Sequence, residues 1–183
     1  MIRGLVVSLA VLVLTGLMLP ACDEKGTTRA HLPAGLMVST RPEGARPVEE
    51  WVSGGGGGAA PVRAGDLVVV SGRVGGSEEP FAADRAAMVI VGPGIKACAD
   101  QLENHCGTPW DYCCERREDL AIHSALVEVV GPDGAVLSKG LKGHGGMKEL
   151  SGVVVVGRVV RRDDSGDGPA LIIHAAAIHV EKP

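Results

Sequence analysis

The sequence predicts an all-β domain: five short strands closing into one small barrel, with a cysteine-rich insert between the second and third strands. Three observations carry that expectation. Apolar runs rich in Val and Ile recur between turn signals, and none keeps a helical period over ten residues. Glycine is abundant, at 27 of 183 residues, as turn-rich β proteins require. Hydrophobic residues make up 45% of the chain but aromatics only 2%, so the core has to be built from aliphatic side chains.

Five runs stand out in order: Leu67–Val74, Ala86–Val91, Ala125–Val130, Val153–Val160 and Leu171–Val180. The first and fourth are near copies. Val68-Val69-Val70-Ser71-Gly72-Arg73-Val74 differs from Val153-Val154-Val155-Val156-Gly157-Arg158-Val159 at one position. Alternation puts two valines, the glycine and the last valine on one face and the arginine on the other. A glycine inside such a strand marks a bulge or sharp bend, which a small closed barrel needs where one strand serves two sheets. Between the runs, Gly131-Pro132-Asp133-Gly134 predicts a tight turn into a short return strand near 135–137. The segment Asp163 to Gly168 predicts a hairpin between the fourth and fifth strands, and the stretch from Lys142 to Leu150 a connector with half a turn of helix.

The N-terminus has a different character. Arg3 is followed by an uncharged apolar stretch from Leu5 to Leu19 and a small residue, Ala21, which is the order of a secretion signal over residues 1–21. Residues 22–62 then read as a flexible tether, with Pro33, Pro42, Pro47 and a run of glycines from Gly54 to Gly58. A coil of that length reaches roughly 35 Å. The barrel domain is expected over 63–183, with the insert at about 92–123.

The insert holds Cys98, Cys106, Cys113 and Cys114, together with His105, Trp110, Asp111 and Tyr112. In an exported chain an even number of cysteines favours two disulfides. Neighbouring Cys113 and Cys114 are expected to pair one each with Cys98 and Cys106, in an order the spacing leaves open. The competing reading is metal: Cys98, His105, Cys106, Cys113 and Cys114, with His123 further on, form a soft nitrogen and sulfur set of the kind that holds zinc or copper. No C-x-x-C pair supports that reading, and no C-x-x-C-H sequence provides for covalent haem. Trp110 and Tyr112 are candidate contacts for a ligand or partner, as are Arg73 and Arg158 on the strands.

Two resemblances extend this reading. Leu19-Pro20-Ala21-Cys22 resembles the bacterial lipobox, which implies a diacylglycerol on Cys22 and attachment to a membrane on the periplasmic or outer-surface side. The order of strands over 63–183 resembles an OB-fold, and the Pro-Trp-Asp-Tyr-Cys-Cys segment is similar to that of uncharacterised lipid-anchored bacterial proteins of OB-like build. An immunoglobulin-like sandwich is the competing architecture, but it needs about seven strands. OB-folds commonly bind single-stranded nucleic acid or oligosaccharide. Nucleic acid is disfavoured here by the net charge of −4 and by strands without aromatic side chains. The expectation is therefore a non-catalytic, lipid-anchored module that binds an envelope protein or glycan and needs no cofactor. A metal-handling or thiol-redox protein using the cysteines is the alternative, and a residual OB-type binder the third.

Overall fold

The computed structural model describes residues 31–54, 60–102 and 106–182. The expected secretion signal, Cys22, most of the glycine run and His105 lie outside the described residues. The elements are β1 (Arg46–Pro47), α1 (Val48–Ser53), β2 (Leu67–Val74), β3 (Ala87–Val91), α2 (Arg117–His123), β4 (Ser124–Glu128), β5 (Gly152–Arg162) and β6 (Leu171–Val180). All five expected strands are present, within a few residues of their predicted ends.

Strands β2, β3, β4, β6 and β5 follow one another around a sheet that closes when β5 pairs antiparallel with β2. One neighbouring pair in the ring is parallel, β4 with β6, in register Ala125 to Leu171. This is a five-stranded, mixed, OB-like barrel, and the sandwich is set aside because one continuous sheet closes on itself. The inward faces are those the alternation predicts. Val68, Val70, Val74, Val153, Val155 and Val159 are all buried, with Ile90, Val127, Ile173 and Ile178 opposite them. Each such side chain contributes about 1.5–3 kcal/mol on leaving water. The core is aliphatic apart from Phe81. The long connection from β4 to β5 sends Leu141 and Met147 inside to fill the barrel. Its predicted return strand is there as a bridge between Val130 and Val136, and the half-turn of helix expected at the end of the 142–150 stretch stands instead near its start, as a 3-10 turn at His144–Gly146.

Gly157 shows why the repeated strands carry glycine. The register of β5 on β6 shifts between Val156 and Gly157. A Cβ at Gly157 would stand 2.5 Å from the backbone oxygen of His174, so no larger residue fits where β6 crosses β5.

The tether expectation needs correction. Residues 31–54 are packed on the barrel. Leu36, Val48 and Val52 are buried in the main core. Ile178 donates its backbone N–H to Leu36 O at 2.6 Å and accepts one from Val38 at 2.9 Å. The β1 strand adds parallel to β2. The Trp51 indole donates to Val69 O at 3.1 Å, under the Arg46 guanidinium 3.5 Å from its ring centroid. The apolar residues of this strap are scattered among prolines, which hides them from any periodicity test, and each finds its partner through the tertiary fold.

Candidate functional site

The insert leaves the barrel after Val91 and returns through α2 into β4. Its hold on the barrel is built mainly from backbone and aromatic groups. Tyr112 is 2% exposed and packs with Val91 and Ala97, and Ile95, Leu120 and Leu150 surround that cluster. The Gly76 N–H donates to Trp110 O at 3.2 Å. This close approach depends on Gly75, where a Cβ would lie 2.5 Å from the same carbonyl oxygen. The Trp110 indole donates to Glu78 O at 2.9 Å, and Arg73 pairs with Asp100 at 2.5 Å.

Within the insert, two stretches run side by side. Cys98 N–H donates to Asp111 O, and Ala99 N–H to Pro109 O, each at 2.8 Å. A turn follows, closed by Glu115 N–H to Tyr112 O at 2.9 Å, with Cys113 and Cys114 at its corners. The pairing carries Cys98 to the start of that turn. The result is a cluster of three sulfurs, with Cys106 joining it at Cys113. Cys98 Sγ lies 3.4 Å from Cys113 Sγ, and Cys106 Sγ lies 3.2 Å from the same atom. The sulfurs of Cys98, Cys113 and Cys114 all fall within 4.8 Å of one another. Cys98 is buried, Cys106 is partly exposed, and Cys113 and Cys114 face solvent.

Cys113 is the hub electrostatically as well. Hydrogen bonds from the Cys106 thiol, and next from Cys98, hold its pKa below that of an ordinary thiol. Cys106 is pushed up to about 12, chiefly by its bond to Cys113 and then by Cys98. Cys114 is raised, again first by Cys113. The proton is thus held less tightly at Cys113 than on an ordinary thiol, and more tightly at Cys106 and Cys114.

No disulfide joins these cysteines. Cys98 and Cys106 both make their short contacts to Cys113, where the sequence reading paired them with separate partners. His105 lies outside the described residues. His123 stands apart from the sulfurs: its Nδ1 is 2.7 Å from Asp119 O, and its Nε2 faces Gly94.

The four candidate ligand contacts are all engaged within the fold. Tyr112 is the buried plug of the insert, and burial pushes its phenol up to about 12. Trp110 is tied to Glu78 and Arg73 to Asp100. Arg158 donates to the backbone oxygen of Gly65. In the hairpin from Asp163 to Gly168, Asp163 and Asp164 pair with Arg161 at 3.3 Å and Arg162 at 2.8 Å.

Sequence reasoning missed Glu49. From α1 its Oε1 accepts the Gly94 N–H at 3.0 Å, while Oε2 is buried without a hydrogen-bond partner. This carboxylate latches the strap to the loop that begins the insert, and a Cβ on Gly92 would fall 1.8 Å from it. The sequence signal was the Gly92-Pro93-Gly94 loop itself, which leaves room for a side chain arriving from elsewhere.

Compared with known proteins, the chain matches no family model, no curated protein and no solved structure.

Proposed function

We propose that this chain is an exported, lipid-anchored, non-catalytic binding protein of the bacterial envelope, and that its ligand is a thiophilic d10 metal ion such as Zn²⁺ or Cu⁺. The observation that carries this reading is the convergence of Cys98, Cys106 and Cys114 on Cys113. Four thiolates around zinc, at Zn–S distances of about 2.3 Å, stand about 3.8 Å apart along the edges of a tetrahedron. The short contacts here are 3.2 and 3.4 Å, and the sulfurs of Cys98, Cys113 and Cys114 lie within 4.8 Å of one another, so the cluster is on the scale of such a tetrahedron. His105, next to Cys106 in the chain, is the other ligand candidate.

The anchoring half of the proposal rests on Leu19-Pro20-Ala21-Cys22 and the apolar stretch before it. Among the described residues no helix is long and apolar enough to cross a membrane. The engagement of Trp110, Tyr112, Arg73 and Arg158 within the fold shifts weight from an aromatic docking loop to the thiols. The competing reading is a stapled loop with two disulfides.

Intact mass of protein purified from membranes, under native and denaturing conditions and without reductant, tests both halves. Added mass of a diacylglycerol on Cys22, one metal ion per chain and four alkylatable thiols after its removal are the expected result. A loss of four hydrogens with no alkylation would replace the metal by disulfides.

A further inference from the structure

On the reading that the four cysteines hold a metal, we infer that the ion is cargo exchanged through the open Cys113–Cys114 edge, and that it is no staple of the fold. Two independent observations carry this.

The first is that the insert is fixed without its sulfurs. Tyr112 is packed in its own small apolar cluster. The Trp110 carbonyl and indole are both bonded to the β2–β3 connection, through Gly76 and Glu78. Arg73 holds Asp100, and the two stretches that present Cys98 and Cys113 are joined by backbone hydrogen bonds. The barrel beneath has its own continuous core. Small domains that depend on zinc lack such a core and unfold without the ion. Here the ligands stay assembled when the ion leaves.

The second is the one-sided exposure of the site. Cys98 is 1% exposed and forms the floor. Cys113 and Cys114 lie at the corners of a surface turn and face solvent. Structural zinc sites are closed around their four ligands. An open face lets another ligand reach the ion before the first has left.

The exchange partner is defined by that chemistry as a thiolate donor. Its sulfur forms a bond to the ion as the bond to Cys114 Sγ breaks. The ion keeps its charge, no electrons move, and the released Cys114 thiolate takes a proton from water. Repetition at Cys113 and Cys106 leaves Cys98 as the last ligand to let go. A small-molecule thiol and a cysteine pair on a second protein share this chemistry.

The test uses the full mature protein loaded with Zn²⁺, offered glutathione in one arm and a Cys-x-x-Cys peptide in the other. A chromogenic chelator reports free zinc, and near-UV circular dichroism reports the packing of the insert's Trp110 and Tyr112. Zinc is expected to pass to at least one of these thiols without denaturant, while the far-UV and near-UV circular dichroism of the fold persist in the emptied protein. Transfer from Cys114→Ser is expected to be several-fold faster. Release that occurs only on unfolding, or an emptied protein that has lost its near-UV signal, would overturn the cargo role and leave a structural zinc. Failure to load one zinc per chain would instead remove the metal reading on which this inference stands.

Discussion

Val70 and Val155 face each other across the seam where β5 closes the barrel on β2, and each is the third residue of the same repeated seven-residue pattern. On either side Val68 pairs with Gly157 and Gly72 with Val153. The two copies therefore meet about a local two-fold through those valines, with the valine of one copy always opposite the glycine of the other. The repeat is a pair of matched strands in one barrel, where each glycine makes room for the strand on its other side, β3 at Gly72 and β6 at Gly157.

Gly157→Ala is expected to cost more stability than Gly72→Ala, although the two glycines occupy equivalent places in the repeat. At Gly157 the added methyl meets the His174 backbone oxygen at 2.5 Å. At Gly72 it meets the Val91 oxygen at 3.0 Å. Overpacking of this kind costs about 1–3 kcal/mol, with Gly157 at the upper end. Urea unfolding of both variants checks the order, and equal losses would show that β6 yields as easily as β3.

Leu36→Ala should destabilise the barrel by about 2–5 kcal/mol, as a cavity in a packed core does. Leu36 is 1% exposed, and a backbone bond holds the strap to β6 beside it. The same denaturation experiment decides between strap and tether, since truncating a tether residue would leave the midpoint where it was.

Tyr112 is the single tyrosine of the chain, so tyrosinate absorbance reports it alone. Folded protein should titrate at about 12, because burial disfavours the phenolate, against about 10 for a free phenol. The folded state keeps its proton where the unfolded state has lost it. The stabilisation from burying the neutral phenol is thus intact below about pH 10 and declines as pH rises towards 12. Gly75→Ala, which drives a methyl against Trp110 O, should bring the midpoint down towards 10 by loosening the insert. An unchanged titration in that variant would show that Tyr112 is held without the close approach at Gly75.

Cys113→Ser is expected to weaken zinc binding more than serine at any other of the four positions. The short contacts of Cys98 and Cys106 both end on Cys113. The loss should exceed the roughly 10–100-fold that follows removal of an outer-shell partner. Competition titration against a chelator measures it, with Cys114→Ser as the comparison. Equal losses would argue for four equivalent ligands and no hub.

The barrel was legible because its strands advertise themselves. Val-rich runs such as Val153–Val160 stand between turn residues, and the glycine bend in each copy pointed to closure. The strap was not legible, because Leu36, Val48 and Val52 belong to elements too short to show a period, and their partners lie on other elements, Ile178 of β6 for Leu36 and β2, β4 and α2 for the helix that carries Val48 and Val52. The insert was legible as a site but not as a geometry. Parity and compartment suggested separate pairs, whereas the actual arrangement depends on backbone pairing of Cys98 with Asp111, which no spacing rule reveals. The plug role of Tyr112 and the latch made by Glu49 are likewise products of the folded chain.

The strap also resets the mooring distance of the whole domain. Were Cys22 acylated and residues up to 62 slack, the barrel could wander tens of ångströms from the lipid. With the chain already committed to the barrel from Leu32, which packs against the core, ten peptide steps separate it from Cys22, and ten steps span at most about 35 Å even when fully drawn out. The thiols would then patrol a thin layer next to the bilayer, and the high local concentration that a short leash confers would favour acceptors moored to the same membrane over those diffusing in the compartment beyond.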